Sequence, residues 1–214
     1  MKIAIVTFAN NGYLDLIKRQ EIEFKRFCDC DYFHYSSFED INSPTHEEHP
    51  YAFKPYAIKK VKDLGYSHIL WADSPVYPLK KLENTLSILN ENKILLLDNV
   101  GWSIASYTND KCLELLSISK TEAEENKMVM ACFMAFDFSN ETTNKIFDKY
   151  FYHATSGAYK GEWSNHRHDQ SVMSILAVKY NINLTHPKGV LCYANEKDHD
   201  LWRGTEELTS NRTP

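Results

Sequence analysis

Short apolar runs that alternate with amphipathic segments constrain the fold of this chain more than any other feature of its sequence. The runs Ile3–Phe8, His68–Ala72 and Lys93–Leu97 have the length of strands, and their apolar residues are continuous rather than alternating. Tyr13–Phe27 and Tyr51–Leu64 instead space apolar residues at helical intervals. Strands buried on both faces need helices on both sides of their sheet. The sequence therefore predicts an α/β fold with a central mixed, mostly parallel sheet and helices on both faces.

The rest of the chain continues this alternation. We predict further strands at Tyr32–Tyr35, Met128–Phe138 and Val190–Tyr193, and further helices at Leu79–Asn90, Cys112–Glu125, Thr142–Tyr152 and Asp169–Lys179. Before the last of these helices, residues 153–168 are polar, aromatic and punctuated by glycine, which is typical of a loop that lines a site. The final segment, 196–214, shows no strong secondary-structure pattern.

Length and composition indicate one ordinary globular domain. The 214 residues are 43% hydrophobic and 25% charged, so we expect a single domain over 1–214. The net charge of −5 argues against nucleic acid as a partner. The five cysteines lack zinc-site spacing, and we interpret them as reduced intracellular thiols. We expect no membrane span and a cytoplasmic location, because we find neither a signal peptide nor an apolar run of about 18 residues.

Polar residues that follow the buried strands are the first candidates for a binding site, since ligands of open α/β sheets bind outside the carboxyl ends of the strands. Asp73 and Ser74 follow the third strand, and Asp98 follows the fourth. The sequence has neither a GxGxxG nor a GxxxxGK[ST] motif, the two glycine-rich loops that commonly bind phosphate. A phosphate group would therefore need a different binding element. A strand-end carboxylate can hold Mg²⁺ or Mn²⁺, which bridges a diphosphate. Asp73 suits this role, or it caps the turn before Pro75, and the residues alone leave both interpretations open.

One part of the sequence resembles the donor site of GT-A glycosyltransferases. Phe53–Lys59 and Ile69–Tyr77 are together similar to the family segment in which a buried strand ends in an Asp-x-Asp pair. Asp73 stands at the first position of this pair, and Pro75 stands at the second. The resemblance therefore places Asp73 in a donor site.

Two later segments extend the resemblance in the same order along the chain. Arg167–Ser171 is similar to the Asp-Gln element that opens a helix in retaining, glycogenin-like members, and Ala131–Asp137 resembles the strand beneath it. The similarity covers about 1–195 and extends to small glycosyltransferase domains of chlorella viruses. It implies a donor-binding half over about 1–100, an acceptor half over about 101–195 and a C-terminal segment at 196–214.

The resemblance implies a hexosyltransferase that moves a sugar from a UDP-sugar to a glycan hydroxyl, with retention and with Mn²⁺ or Mg²⁺ as cofactor. Asp169 would stabilise positive charge at the anomeric carbon, and Gln170 would orient the sugar hydroxyls. The metal would be held by Asp73 and by His199, which we favour over His186 because His186 sits beside a predicted strand. The nucleotide and donor would be bound by Thr7, Phe8, Asn11, Tyr13, Lys54, Asp73, Ser74 and Arg167, with Trp163 stacking on a sugar face.

Two other classes of protein stay open at this stage. A nucleotidyltransferase also uses an α/β sheet, but it usually needs a glycine-rich phosphate loop, and Asn10–Gly12 is a poor one. A non-catalytic module that binds nucleotide sugars is favoured by Pro75, which replaces the second carboxylate. The chain is also compatible with one domain of a longer polypeptide, located in the host cytoplasm if a virus encodes it.

Overall fold

The computed structural model describes residues 2–212, apart from the side chains of Asn11 and Asp198. Its strands are β1 (Ile3–Phe8), β2 (Asp31–Tyr35), β3 (His68–Ala72), β4 (Val76–Pro78), β5 (Ile94–Ser103), β6 (Lys127–Asp137), β7 (Leu191–Tyr193) and β8 (Leu208–Ser210). Its α-helices are α1 (Leu14–Phe27), α2 (Phe53–Asp63), α3 (Glu83–Asn92), α4 (Asp110–Leu115), α5 (Lys120–Glu125), α6 (Glu141–His153) and α7 (Asp169–Lys179).

The main sheet has the strand order β2-β1-β3-β6-β5. β1 runs parallel to both β2 and β3, whereas β6 is antiparallel to both β3 and β5. The predicted mixed sheet is therefore confirmed, and all of its strands except β6 run in the same direction. Because β6 runs the opposite way, its middle lies beside the carboxyl end of β3, where Ala72 pairs with Phe133.

Helices cover both faces of this sheet, as predicted. Successive side chains of a strand point to opposite faces, and β3 shows the consequence. Trp71 packs into a cluster that includes residues of α2, α6 and α7, and Leu70 packs into a second cluster with residues of α1 and α3. Both side chains are 0% exposed. The continuous apolar run of β3 is thus explained by burial on both faces.

A second, three-stranded sheet was not predicted from the sequence. Its order is β4-β8-β7, with β8 antiparallel to β4 and parallel to β7. Each strand is three residues long, which is too short to show a hydrophobic period. Leu191 and Leu208 pack this sheet into the core cluster that also contains residues of α1 and α3. The segment without a sequence pattern therefore belongs to the folded domain.

The single helix predicted over Cys112–Glu125 is wrong, because the chain forms α4 and α5 instead. Ser117 between them has a φ of 50°, which an α-helix does not allow. Ser119 then begins α5 with a capping box, in which its hydroxyl accepts from the backbone of Glu122 and the Glu122 carboxylate accepts from the backbone of Ser119.

Among residues 2–212, no helix is long and apolar enough to cross a membrane. The cysteines have free thiols. Cys112 and Cys192 are buried, and Cys28, Cys30 and Cys132 are partly buried.

The start of α3 depends on a side chain from the C-terminal segment, and this can be tested. The carboxylate of Glu207 accepts the backbone N–H groups of Asn84 and Thr85 at 2.7 and 2.8 Å. Glu207→Gln removes the charge and one acceptor, so we expect the free energy of unfolding to fall by about 1–2 kcal/mol. Glu91→Gln, an exposed change in the same helix, should alter it by less than about 0.5 kcal/mol in the same urea titrations. Equal effects of the two variants would contradict the capping role.

Candidate active site

Two adjoining cavities, of about 390 and 360 Å³, open beside the carboxyl ends of β1 and β3. Both are lined by Tyr51, Lys54, Asp73, Pro75 and Arg212. The aromatic cavity is also lined by Phe8, Tyr13, Phe38, His46 and Phe53. The polar cavity is also lined by Trp163, Asp169, Gln170, Tyr193, Asn195 and Glu196. The shared residues form the boundary between a cavity with aromatic walls and a cavity lined by hydrogen-bonding side chains.

Asp73 lies at this boundary, directly after β3. Its backbone N–H donates to the carbonyl oxygen of Cys132 at 2.8 Å, and its own carbonyl oxygen accepts from the Gln20 side chain at 2.8 Å. The indole N–H of Trp71 donates to Oδ1 of Asp73 at 2.8 Å. The Asp73 side chain remains 31% exposed. Its backbone is therefore fixed while its carboxylate faces the cavities.

Lys54, in the first turn of α2, places its ammonium between two carboxylates. Its Nζ lies 3.1 Å from Oδ1 of Asp73 and 3.1 Å from Oδ2 of Asp169, and it donates to the carbonyl oxygen of Ala131 at 3.1 Å. An ammonium has three N–H donors, and these three oxygens account for all of them. The Lys54 side chain is only 4% exposed. We call this arrangement the Asp73–Lys54–Asp169 cluster.

Asp169 opens α7, and the residue before it has an unusual backbone. His168 has a φ of 48°, a left-handed value that costs energy for a residue with a side chain. Its ring Nδ1–H donates to the carbonyl oxygen of Tyr159 at 2.8 Å, which holds this conformation. Asp169 itself is 3% exposed, and the Tyr150 hydroxyl donates to its Oδ2 at 3.4 Å. Strain of this kind is characteristic of functional sites.

The cluster carries a net negative charge when both carboxylates are ionised. Burial lowers the pKa of Lys54, but the neighbouring Asp169 and Asp73 raise it by more, so the ammonium stays charged at neutral pH. Burial raises the pKa of Asp169, and the charge of Lys54 opposes that rise. One ammonium thus compensates only one of two carboxylates.

The aromatic cavity has flat walls. The ring of Phe8 stacks on Phe53 with centroids 4.6 Å apart and packs against Phe38 at 5.0 Å. Tyr13, which is 48% exposed, also lines this cavity. Walls of this kind suit a planar ring that gains by stacking.

The polar cavity offers hydrogen-bonding groups instead. The Tyr193 hydroxyl donates to the Cys132 sulfur at 3.0 Å, and Gln170 and Asn195 present side-chain amides. An amide both donates and accepts, as the hydroxyls of a sugar do. This cavity therefore suits a ligand that carries several hydroxyls.

The loop over residues 154–168 contributes Trp163 to the lining of the polar cavity. The ring of Trp163 stacks on Tyr51 and on His168, with centroids 5.7 Å apart in both cases. The guanidinium of Arg167 lies 4.0 Å from the ring centre of Trp163 and 4.2 Å from that of Tyr107. These contacts hold Trp163 at the cavity, although its side chain is half exposed.

The structure brings together most of the residues that the sequence predicted for donor binding and catalysis, but not all. Those that line a cavity are Phe8, Tyr13, Lys54, Asp73, Ser74, Asp169, Gln170 and Trp163. Thr7 is 0% exposed and lines neither cavity, and Arg167, which also lines neither, packs its guanidinium against the rings of Trp163 and Tyr107. The side chain of Asn11 lies outside the described residues.

The residues present do not fit the Mn²⁺ or Mg²⁺ site expected of Asp73 and His199. His199 lines neither cavity, and its Nδ1 accepts the backbone N–H of Tyr193 at 3.0 Å. Pro75 offers no side-chain oxygen, and a divalent cation at Asp73 would face the charge of Lys54. Within the described part of the chain, no group of three or more His, Cys, Asp or Glu side chains could hold a metal. His186 lies elsewhere, with its ring against Trp202.

Sequence reasoning missed Tyr51, Tyr193 and Arg212 as lining residues. Tyr51 and Tyr193 were assigned to a helix and a strand, and Arg212 lies in a segment without a pattern. All three reach the cavities through contacts between distant parts of the chain, so no local signal marks them.

The Asp73–Lys54–Asp169 cluster predicts a large loss of stability when its ammonium is removed. Lys54→Met keeps the length of the side chain but leaves both carboxylates without compensation, so we expect the free energy of unfolding to fall by about 3–5 kcal/mol. Asp169→Asn in the same chain should restore part of this loss. The control is Lys59→Met, which breaks an exposed pair with Asp63 and should cost less than about 1 kcal/mol. Denaturant unfolding of these variants that shows equal losses for Lys54→Met and Lys59→Met would contradict the cluster.

His166 predicts a pH dependence of stability. Its buried Nε2–H donates to the carbonyl oxygen of Ala158 at 2.9 Å, and burial lowers its pKa to about 4. Between pH 6.5, near the ordinary histidine value, and pH 4 the unfolded chain binds a proton that the folded protein does not. This stability is therefore present above pH 6.5 and is lost as the pH falls, with a slope of up to about 1.4 kcal/mol per pH unit. Unfolding of His166→Gln across this range should show a shallower slope; an unchanged slope would refute the assignment.

The fold is similar to that of two solved glycosyltransferases. The apo structure of the bifunctional glycosyltransferase WbbM matches with a TM-score of 0.64 and 12% identity, over 100% of this chain and 46% of that one. A glycosyltransferase involved in the glycosylation of the major capsid of the chlorovirus PBCV-1 matches with a TM-score of 0.62 and 13% identity, over 100% of this chain and 95% of that one. This chain therefore spans less than half of WbbM and nearly all of the capsid-glycosylating enzyme.

Comparisons of sequence give no match. No protein-family model matches the chain, and no curated protein matches it. At 12% and 13% identity the structural likeness concerns the fold. The chain therefore has a single-domain α/β fold similar to the matched parts of these glycosyltransferases.

Proposed function

We propose that this protein transfers a hexose from a UDP-sugar to a hydroxyl of a glycan acceptor. The observation that supports this most is the Asp73–Lys54–Asp169 cluster at the boundary of two chemically different cavities. A nucleotide sugar has the same division, with a planar base at one end, a sugar at the other and a charged diphosphate between them. The resemblance of the segments around Asp73 and Asp169 to GT-A enzymes supports the same assignment.

The donor would bind with its base in the aromatic cavity. Tyr13, which is half exposed there, offers a ring face for stacking. The sugar would lie in the polar cavity, where Gln170 and Asn195 hydrogen-bond its hydroxyls. This orientation places the anomeric carbon near Asp169 and the diphosphate at the shared boundary.

The reaction breaks the bond between the anomeric carbon and the diphosphate oxygen, and the bonding electrons leave with the phosphate. Positive charge then develops at the anomeric carbon, and the carboxylate of Asp169 stabilises it. The acceptor oxygen forms the new bond to that carbon. The departing phosphate takes the acceptor proton, in keeping with the resemblance to retaining enzymes. Lys54 keeps Asp169 in place but also weakens its field.

The weakening of the Asp169 field by Lys54 favours a second candidate function, a non-catalytic module that binds nucleotide sugars. The ammonium of Lys54 lies 3.1 Å from the Asp169 carboxylate, which limits the negative charge available to a reaction centre. Binding and catalysis predict different results with a donor, so one experiment distinguishes them.

Release of UDP from a panel of UDP-sugars, with water or added oligosaccharides as acceptor, tests the proposal. We expect turnover by the wild type and a loss of about 100-fold or more in kcat for Asp169→Asn, because the variant keeps the shape but loses the charge. Gln170→Ala should raise KM more than it lowers kcat. Asp63→Asn, an exposed change, is the matched control and should keep full activity.

Two results would overturn the proposal. Equal rates for the wild type and Asp169→Asn would remove Asp169 from the reaction. Tight binding of UDP-sugars, measured by calorimetry, without turnover of any of them would establish the binding module instead.

A further inference from the structure

We propose that Arg212 binds the diphosphate of the donor and takes the place of a divalent cation there, so that donor binding needs no metal. This inference rests on the proposed function, because it assumes a nucleoside diphosphate as part of the ligand. It concerns a residue at the end of the described chain, which neither the sequence pattern nor the resemblance assigned to the site.

The position of Arg212 is the first argument. It lines both cavities, beside Asp73 and Pro75, and thus lies where a diphosphate would join base and sugar. The pairing of the small sheet puts it there. Ser210 of β8 is opposite Val76 of β4, and the backbone N–H of the next residue, Asn211, donates to the carbonyl oxygen of Pro75 at 3.0 Å. Arg212 is therefore delivered directly to the turn that follows β3.

The backbone that precedes Arg212 and the turn that follows β3 are both anchored by α1. The Arg19 guanidinium donates to the carbonyl oxygen of Asn211 at 2.6 Å. The next residue, Gln20, donates through its side chain to the carbonyl oxygens of Asp73 and Val76 at 2.8 and 2.6 Å. One turn of helix thus holds the Asp73 turn and the strand that precedes Arg212 together. The backbone that leads to Arg212 is thus fixed before the ligand arrives, which lowers the ordering cost of binding.

The charge of the site is the second argument. The three N–H donors of Lys54 are engaged, and the Asp73–Lys54–Asp169 cluster is net negative with both carboxylates ionised. A diphosphate brought to this boundary would meet repulsion unless another cation were present. Among the described lining residues, Lys54 and Arg212 are the lysine and arginine side chains. Arg212 forms no ion pair with any side chain that the structure describes, so its charge is available to a ligand.

The third argument is that a guanidinium can bind a diphosphate as a divalent cation does. A guanidinium carries a fixed fork of donors that matches two phosphate oxygens, and it remains charged at any physiological pH. It can therefore screen the charge on a departing diphosphate, which is the task of the metal in a site with two carboxylates. Pro75 stands where the second carboxylate would be, next to Arg212.

Calorimetric titrations with UDP and with uridine, in EDTA and in Mn²⁺, test this inference. The wild type should bind UDP in EDTA with a Kd within about threefold of that in Mn²⁺. Arg212→Ala should weaken UDP binding at least tenfold and leave uridine binding unchanged, because the nucleoside lacks the diphosphate; this corresponds to about 1.4 kcal/mol or more. Arg212→Lys should recover part of the loss. Arg26→Ala, which removes the same charge from a surface of α1 that lines neither cavity, should bind UDP as the wild type does.

Each contrary result has a distinct meaning. UDP binding that Arg212→Ala leaves unchanged, that Mn²⁺ strengthens more than tenfold, or that the wild type lacks altogether would overturn the inference. A wild type that binds UDP through Arg212 but turns over no UDP-sugar would leave this inference standing and refute the proposed transfer. Thermal unfolding of Arg212→Ala should match the wild type, since the side chain is exposed, which separates a lost contact from a lost fold.

Discussion

The site depends on one buried ammonium. Lys54 is 4% exposed, and a charge so far from water persists only when it is paired and hydrogen-bonded. Its partners come from three separate elements: Asp73 follows β3, Asp169 opens α7, and the carbonyl oxygen of Ala131 belongs to β6. The relative positions of two strands and two helices are therefore constrained at one atom. The strained backbone of His168 directly precedes Asp169, one of these partners.

The same pairing divides the space around it. On one side are rings that pack tightly against each other, such as Phe8 and Phe53, and on the other are amides and hydroxyls, such as Gln170 and Tyr193. A ligand that spans both sides must place its central part beside a cluster that is net negative when both carboxylates are ionised. If that central part is itself negatively charged, its binding depends on the charges at this boundary more than on the shape of either cavity. Arg212, which lines both cavities, would supply the compensating positive charge.

Much of the fold could be predicted because it is locally encoded. β1, β3 and α7 have the predicted bounds, since strands buried on both faces and a helix with an acidic first turn leave direct patterns in the sequence. Asp73 and Asp169 could be singled out from the sequence for the same reason. Asp73 directly follows the end of a predicted strand, and Asp169 is the first residue of a predicted helix. The break between α4 and α5 was not foreseen, because the φ of Ser117 is set by a turn and not by hydrophobic spacing.

The sequence by itself thus determined the elements of the main sheet and the two carboxylates at their ends, because burial and capping act over a few neighbouring residues. Only the tertiary structure decided what these carboxylates face. Lys54 is 115 residues from Asp169 in sequence, and the strands that bring Arg212 to Asp73 are three residues long. Contacts of this kind depend on the packing of whole elements, which leaves no periodic trace. His199, the expected partner of Asp73, accordingly lines neither cavity, and the ammonium of Lys54 lies beside the carboxylate instead.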